Sequence, residues 1–215
     1  VKKINLIRKK QMNRKEEHEK ILLILDLDET LIYASKEQLE READFRVEFY
    51  HVYKRPWLDK FIKYVSEHFL LAVWSSASDQ YVSEVVGNIF PDKEGLEFVW
   101  GRSRCVQKRN LQIDDQGYFS DDYYAHYHYV KPLKKVKRRG FNLERILIID
   151  DTPHKSQNNF GNAIYPRPYI GSTDDEELKI MMDYLDHLKD KDGVRKIEKR
   201  NWRYNTLQGN YGKKN

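Results

Sequence analysis

The chain has 215 residues, 40% hydrophobic and 13% aromatic, so a core can form and a wholly disordered chain is excluded. Its single cysteine rules out an internal disulfide and a structural zinc site built on three or four cysteines. The net charge of +5 divides into +5 over residues 1–20 and +6 over residues 193–215, leaving −6 on the body, so the basic balance belongs to the ends and does not by itself mark a nucleic-acid-binding domain.

Residues 1–19 read as a basic tail or helix without the apolar stretch of a signal peptide. Ile21–Leu25 is an unbroken apolar run that ends in Asp26-Leu27-Asp28-Glu29-Thr30. Runs this short and unalternating are strands buried on both faces of a parallel sheet. Residues 34–54 alternate with period two around Phe45, Val47 and Phe49 and read as a hairpin insertion. After Lys54-Arg55-Pro56 the apolar positions 57, 58, 61, 62 and 65 form a helical stripe, with Pro56 in the first turn. Phe69–Trp74 is a second buried strand, ending at Ser75-Ser76, and Ser78 and Asp79 cap a helix that stops near Gly87-Asn88.

Residues 98–130 read as a second hairpin-like insertion. In it Cys105 is a core residue, Asp114-Asp115 and Asp121-Asp122 are turn residues, and His126-x-His128 sits on an aromatic-rich strand rather than on a metal. Lys131 precedes a basic helical segment over 134–139. Ile146–Ile149 is a third buried strand and ends in Asp150-Asp151-Thr152-Pro153. Thr173-Asp174-Asp175-Glu176 has the form of a capping box for a helix bearing Leu178, Met181, Met182, Leu185 and Leu188. Residues 193–215 are a basic tail in which Val194, Ile197 and Trp202 are apolar enough to pack back on the body.

Strands alternating with helices predict an α/β fold: a Rossmann-like parallel sheet flanked by helices, spanning residues 20–192, with the hairpins as a minimal cap. No apolar run nears the roughly 18–20 residues of a membrane span, so the reading is a soluble intracellular protein, cytoplasmic, or nuclear in a eukaryote, and a monomer by default.

Ligands of parallel α/β sheets bind beyond the carboxyl ends of the strands, where both aspartate clusters lie. If the two strands are neighbours, Asp26, Asp28, Asp150 and Asp151 converge. Crowded carboxylates need a cation, and Mg2+, which prefers oxygen ligands, suits them. Lys131 is then placed to neutralise a phosphoryl group, and Ser75 to offer its hydroxyl and backbone N–H to a phosphate oxygen. Asp26 can attack phosphorus, and Asp28 can protonate the leaving oxygen and later activate water.

Asp26-Leu27-Asp28-Glu29-Thr30-Leu31 resembles the Asp-x-Asp-x-Thr signature of haloacid-dehalogenase-superfamily phosphatases. The form is similar to the branch of RNA polymerase II C-terminal-domain phosphatases, also called NLI-interacting-factor-like phosphatases. Lys54-Arg55-Pro56, Val73-Trp74-Ser75-Ser76-Ala77-Ser78, Tyr129-Val130-Lys131-Pro132-Leu133 and Ile148-Ile149-Asp150-Asp151-Thr152-Pro153 come in that family's order. The resemblance implies that Asp26 is nucleophile and Mg2+ ligand, that Asp28 is acid/base with its backbone carbonyl on the metal, and that Asp150 and Asp151 complete the metal site. It places Ser75, Ser76 and Lys131 on the phosphoryl group and has Thr30 steady the loop on the substrate side. Arg55 stands equally as a structural residue or a substrate contact.

The implied substrate is a phosphoserine or phosphothreonine protein. Phosphorylated nucleic-acid ends, reached through the basic tails, and small phosphometabolites are the alternatives within enzymes. A scaffold that has lost catalysis is the alternative outside them.

Overall fold

The computed structural model describes residues 20–90, 93–109 and 127–211. The first strand, β1 (Leu22–Leu25), is apolar at every position and fully buried. The chain then forms a small antiparallel sheet from β2 (Ile32–Ser35), β3 (Phe45–Val47) and β4 (Tyr50–Lys54), in the order β2-β4-β3. The expected hairpin over 34–54 is thus three strands, and it begins at Ile32. Helix α1 (Leu58–His68) buries Leu58, Phe61, Ile62 and Val65. It starts after Trp57, whose φ of 70° is left-handed, so Pro56 precedes the helix instead of lying in its first turn. Next come β5 (Leu70–Trp74) and α2 (Asp79–Ile89), where the Ser78 hydroxyl accepts from the Tyr81 amide as an N-cap.

Strand β6 (Leu96–Trp100) pairs in parallel with β5. Phe98-Val99-Trp100 therefore belongs to the main sheet, which corrects the reading that placed them in an insertion. Beyond it, β7 (Val106–Arg109) and β8 (Tyr127–Val130) pair antiparallel. The Asp114-Asp115 and Asp121-Asp122 turns and His126 lie outside the described residues. The short α3 (Lys134–Lys137), the strands β9 (Ile146–Ile149) and β10 (Ala163–Ile164), and the helices α4 (Glu177–Leu188) and α5 (Trp202–Leu207) complete the chain.

Among the described residues the main sheet is all parallel, in the order β10-β9-β1-β5-β6. Both faces are covered, which is why its strands read as continuous apolar runs. Leu23, Leu25, Val73 and Ile149 face the layer of α1, α2 and α4. Leu22, Ile24, Ala72 and Ile148 face the other side with Trp74, Leu133, Val136 and the buried Cys105. Trp202 of α5 is buried beside Tyr184 of α4, and the Lys199 ammonium donates to the carbonyls of Gly161, Ile197 and Val194, so this part of the basic C-terminal segment packs on the body. Among the described residues no helix is long and apolar enough to cross a membrane.

Helix α4 begins at Glu177, without the Thr173–Glu176 capping box. The side chain that takes the orphan amide of Glu177 is Asp175, at 2.9 Å. Asp175 is at the same time the partner of Arg55.

Candidate functional site

Strand register builds the site. Leu25 is level with Ile149 on one side and with Val73 on the other, so the next residues, Asp26 and Asp150, emerge side by side. Ser75 lies at the end of the strand on the far side of β1. The Asp26 amide donates to Ile149 O (3.0 Å) and the Asp150 amide to Ile164 O (3.2 Å), so the backbones carry the sheet bonding as far as the aspartates. Beyond Asp26 the chain turns sharply: Glu29 takes a φ of 58°, and its amide donates back to Ile32 O. A left-handed glutamate is uncommon, and it lies next to Asp28 in the loop that carries the carboxylates.

Asp26, Asp150 and Asp151 each bring one carboxylate oxygen within 4.8 Å of the others. Lys131 is fully enclosed between two of them, its Nζ 2.6 Å from Asp150 Oδ2 and 2.9 Å from Asp26 Oδ2. A second ammonium, Lys155, lies 3.0 Å from the same Asp26 oxygen and 3.7 Å from Asp150 Oδ1. Burial by itself would raise the Asp26 carboxyl, but Lys131 and Lys155 outweigh it and hold it below the usual aspartate range. Asp150 moves the other way, raised first by burial and then by the charge of Asp26. Burial also opposes the Lys155 ammonium, and the three aspartates overcome it and raise the group above the ordinary lysine value.

Asp28 accepts a 2.6 Å hydrogen bond from the Tyr81 hydroxyl. Its carboxyl is raised, chiefly by burial and further by Asp26, against that hydrogen bond. Two aspartates two residues apart are therefore pushed in opposite directions, Asp26 toward the charged form and Asp28 toward the neutral one.

The other expected residues fall into two groups. Ser75 is buried just beyond β5, and its amide donates to Trp100 O at 2.9 Å, so only the hydroxyl proton is left for a ligand, which corrects the expectation for its N–H. The Ser75 oxygen accepts from the Ala77 amide, and the Ser76 carbonyl accepts from Arg102. Thr30 and Arg55 lie behind the carboxylates. The Thr30 hydroxyl bonds Asp151 Oδ1 and accepts from the Asp151 amide, both at 3.2 Å. Arg55 is 1% exposed, with two 2.8 Å bonds to Asp175 and two more to Thr30 O and Arg167 O. These bonds support the structural one of its two readings. Arg55→Lys breaks a buried fork and should lower stability by about 3 kcal/mol. We expect a melting temperature lower by about 6–12 °C, with an unchanged KM for a small phosphomonoester. A raised KM at constant melting temperature would return Arg55 to the substrate side.

Three further residues belong to the site and are not among those singled out from the sequence. They are Tyr81, Lys155, and Thr152, whose amide and hydroxyl bond Asp150 Oδ1 and Asp151 Oδ2 at 2.9 Å each. Thr152 could have been suspected from its place next to Asp151. His128 meets Gln157 (3.1 Å between the Nε2 atoms) and the ring of His154. The basic run is partly structural, since Lys135 donates to Arg104 O and Arg139 lies over the rings of Phe98 and Trp100.

A cavity of about 380 Å³ opens beside Asp28, lined by Ala34, Glu48 and Tyr50 from the small sheet and by Ala77, Ser78, Tyr81 and Arg102. A larger groove of about 590 Å³ lies at the opposite end of the sheet, lined largely by Ile62, Phe69, Leu71, Ile89, Phe90 and Leu96, and has none of the clustered carboxylates. Hard oxygen donors, and three clustered carboxylates against two ammoniums, fit a divalent cation at Asp26, Asp150 and Asp151, for Mg2+ selects oxygen ligands and this set is left with net negative charge.

Residues 21–195 match the family model of NLI interacting factor-like phosphatases. CTD small phosphatase-like protein 2 of Dictyostelium discoideum is 28% identical over 82% of this chain and 29% of its own length. The human carboxy-terminal domain RNA polymerase II polypeptide A small phosphatase 1 is 26% identical over 83% of this chain and 63% of its own. CTD nuclear envelope phosphatase 1B of Danio rerio is 25% identical over 88% and 75%. The chain thus spans less than two thirds of the first two relatives. It shares its fold with fission yeast RNA polymerase II CTD phosphatase Fcp1 in the beryllium fluoride-bound form. The TM-score is 0.51 at 15% identity, over 94% of this chain and 65% of that one.

Proposed function

Since the chain belongs to the NLI interacting factor-like phosphatase family, we propose that it hydrolyses phosphomonoesters through Asp26, with phosphoserine or phosphothreonine proteins as substrates. The observation that carries this reading is the pair of ammoniums on one oxygen of a buried aspartate: Lys131 and Lys155 keep Asp26 charged where burial would neutralise it. A buried carboxylate held ionised at the end of a strand is a ready nucleophile. Asp28, shifted toward its neutral form, holds the proton that the leaving oxygen needs.

In the first step an Asp26 oxygen forms a bond to phosphorus while the phosphorus–ester oxygen bond breaks, and the departing oxygen takes the Asp28 proton. In the second, Asp28, now a carboxylate, takes a proton from water as the water oxygen bonds to phosphorus. The bond from phosphorus to Asp26 then breaks and inorganic phosphate leaves. Lys131 and the Ser75 hydroxyl hold phosphoryl oxygens, while Thr30 and Thr152 keep Asp151 in place. Mg2+ bound at Asp26, Asp150 and Asp151 would neutralise charge between carboxylates and phosphoryl oxygens.

The names of the relatives favour a protein substrate, and the open cavity beside Asp28, with Tyr50, Tyr81 and Arg102 on its walls, suits a peptide more than an enclosed metabolite. An aryl phosphate with Mg2+ should be turned over, EDTA should abolish the turnover, and added Mg2+ should restore it. Activity indifferent to EDTA would sink the metal assignment. Phosphopeptides, a sugar phosphate and an end-phosphorylated oligonucleotide, compared by kcat/KM, separate the substrate classes, and the highest value is expected for a phosphopeptide. A wild type inert on all of them would leave the scaffold reading.

A further inference from the structure

The site holds one cation more than the sequence motifs account for. Lys131 is committed: its side chain is fully enclosed and its ammonium is shared between Asp150 and Asp26. Lys155 is mounted differently. It sits on the short 3-10 turn Pro153–Ser156, which folds back over the carboxyl end of β9, and its side chain is 17% exposed. Its nearest carboxylate is Asp26 at 3.0 Å, with Asp150 at 3.7 Å. The amide of Lys131 donates to the carbonyl of Lys155 at 2.7 Å, so the two lysines share one backbone junction and approach Asp26 Oδ2 together.

We propose that Lys155 is a second phosphoryl-binding residue, which rests on Asp26 in the ligand-free chain and takes the oxygens of an incoming phosphoryl group. The proposal rests on the phosphatase reading above. In-line attack brings phosphorus to roughly 3–3.5 Å from the attacking oxygen. An ammonium already 3.0 Å from one oxygen of that carboxylate then has the phosphoryl oxygens within hydrogen-bonding reach. A phosphoryl dianion approaching the carboxylates of Asp26, Asp150 and Asp151 meets repulsion that one enclosed lysine offsets only in part. A lysine is a compact point charge on a flexible four-carbon stem, so a partly exposed one can leave the carboxylate and follow the phosphate. Lys131, with no exposed surface and two carboxylates within 2.9 Å, has no such freedom.

Lys155→Met should raise KM for an aryl phosphate about 10- to 100-fold, the loss of one charge-assisted hydrogen bond. Product inhibition by inorganic phosphate should weaken by a similar factor. The Mg2+ concentration for half-maximal activity should stay the same, and Lys155→Arg should regain most of the lost affinity. Calorimetric titration with inorganic phosphate in the presence of Mg2+ does not depend on turnover. Equal phosphate affinity in wild type and Lys155→Met overturns the proposal, as does a variant whose only change is a lower Mg2+ requirement, since Lys155 would then compete with the metal. A wild type that binds phosphate through Lys155 but turns over no phosphomonoester would instead overturn the phosphatase reading alone.

Discussion

Asp26→Asn should reduce turnover of an aryl phosphate by at least about 10⁴-fold, the scale seen when a covalent nucleophile is removed. The change is nearly isosteric, so the cause is chemical. An amide cannot supply the attacking oxygen, and it presents a neutral group to two ammoniums placed 2.9 and 3.0 Å from the Asp26 carboxylate. Lys131 keeps Asp150 at 2.6 Å, so the buried lysine retains a counter-charge and the variant should fold. Thermal melting and the circular dichroism spectrum should therefore stay close to wild type while activity is lost. Turnover that survives the substitution would remove Asp26 from the mechanism.

Lys131→Met should cost both activity and stability. Its ammonium has no exposed surface and neutralises two aspartates that are themselves buried. Removing one partner of a buried ion pair leaves uncompensated charge and typically costs about 3–5 kcal/mol. In wild type the Asp26 carboxyl is depressed in the folded state. It therefore adds stability above its unfolded value of about 3.9, stability that is lost as pH falls through the lower folded value. Without Lys131 that contribution shrinks and burial raises the carboxyls instead. The stability deficit of the variant, measured by denaturant titration in EDTA, is thus expected to be largest near neutral pH and to narrow as pH falls from the variant's raised carboxyl value toward the wild-type Asp26 value of about 2. A constant deficit across pH would mean that the methionine acts through packing. Turnover at pH 7 should fall by a factor on the order of 10³, since Asp26 loses the enclosed cation that keeps it charged and that, in the proposed mechanism, holds the phosphoryl group.

The carboxylates at the heart of the site were legible in the sequence because strand and chemistry are local to each other. Ile21–Leu25 and Ile146–Ile149 are apolar throughout because both sheet faces are covered, and a strand buried in that way places the next residue at the ligand-binding edge. Asp26 and Asp150 come directly after. Cys105 was legible as a core residue for a similarly simple reason, an apolar neighbour and no partner cysteine. The two readings of Arg55 could not be separated, because what separates them is Asp175, 120 residues away along the chain.

The structure departs from the sequence reading where one group serves two masters. Thr173–Glu176 has the form of a capping box, but Asp175 is drawn to Arg55 and caps the helix from there. Ser75 was expected to offer its amide to a ligand, but parallel pairing at the sheet end gives that amide to Trp100. Phe98–Trp100 lie in an aromatic-rich stretch that reads like the hairpin after it, and only the pairing with β5 places them at the edge of the main sheet.

By itself, then, the sequence determined the sheet class, the order of the motifs and the identity of the aspartates, since these depend on short apolar periods and on residues one or two positions beyond a strand. Tertiary structure alone decided which charges meet. Lys155 reaches Asp26 across 129 residues, Tyr81 reaches Asp28 across 53, and Thr30 reaches Asp151 across 121. Such contacts are set by strand register and loop return, and neither leaves a period in the sequence.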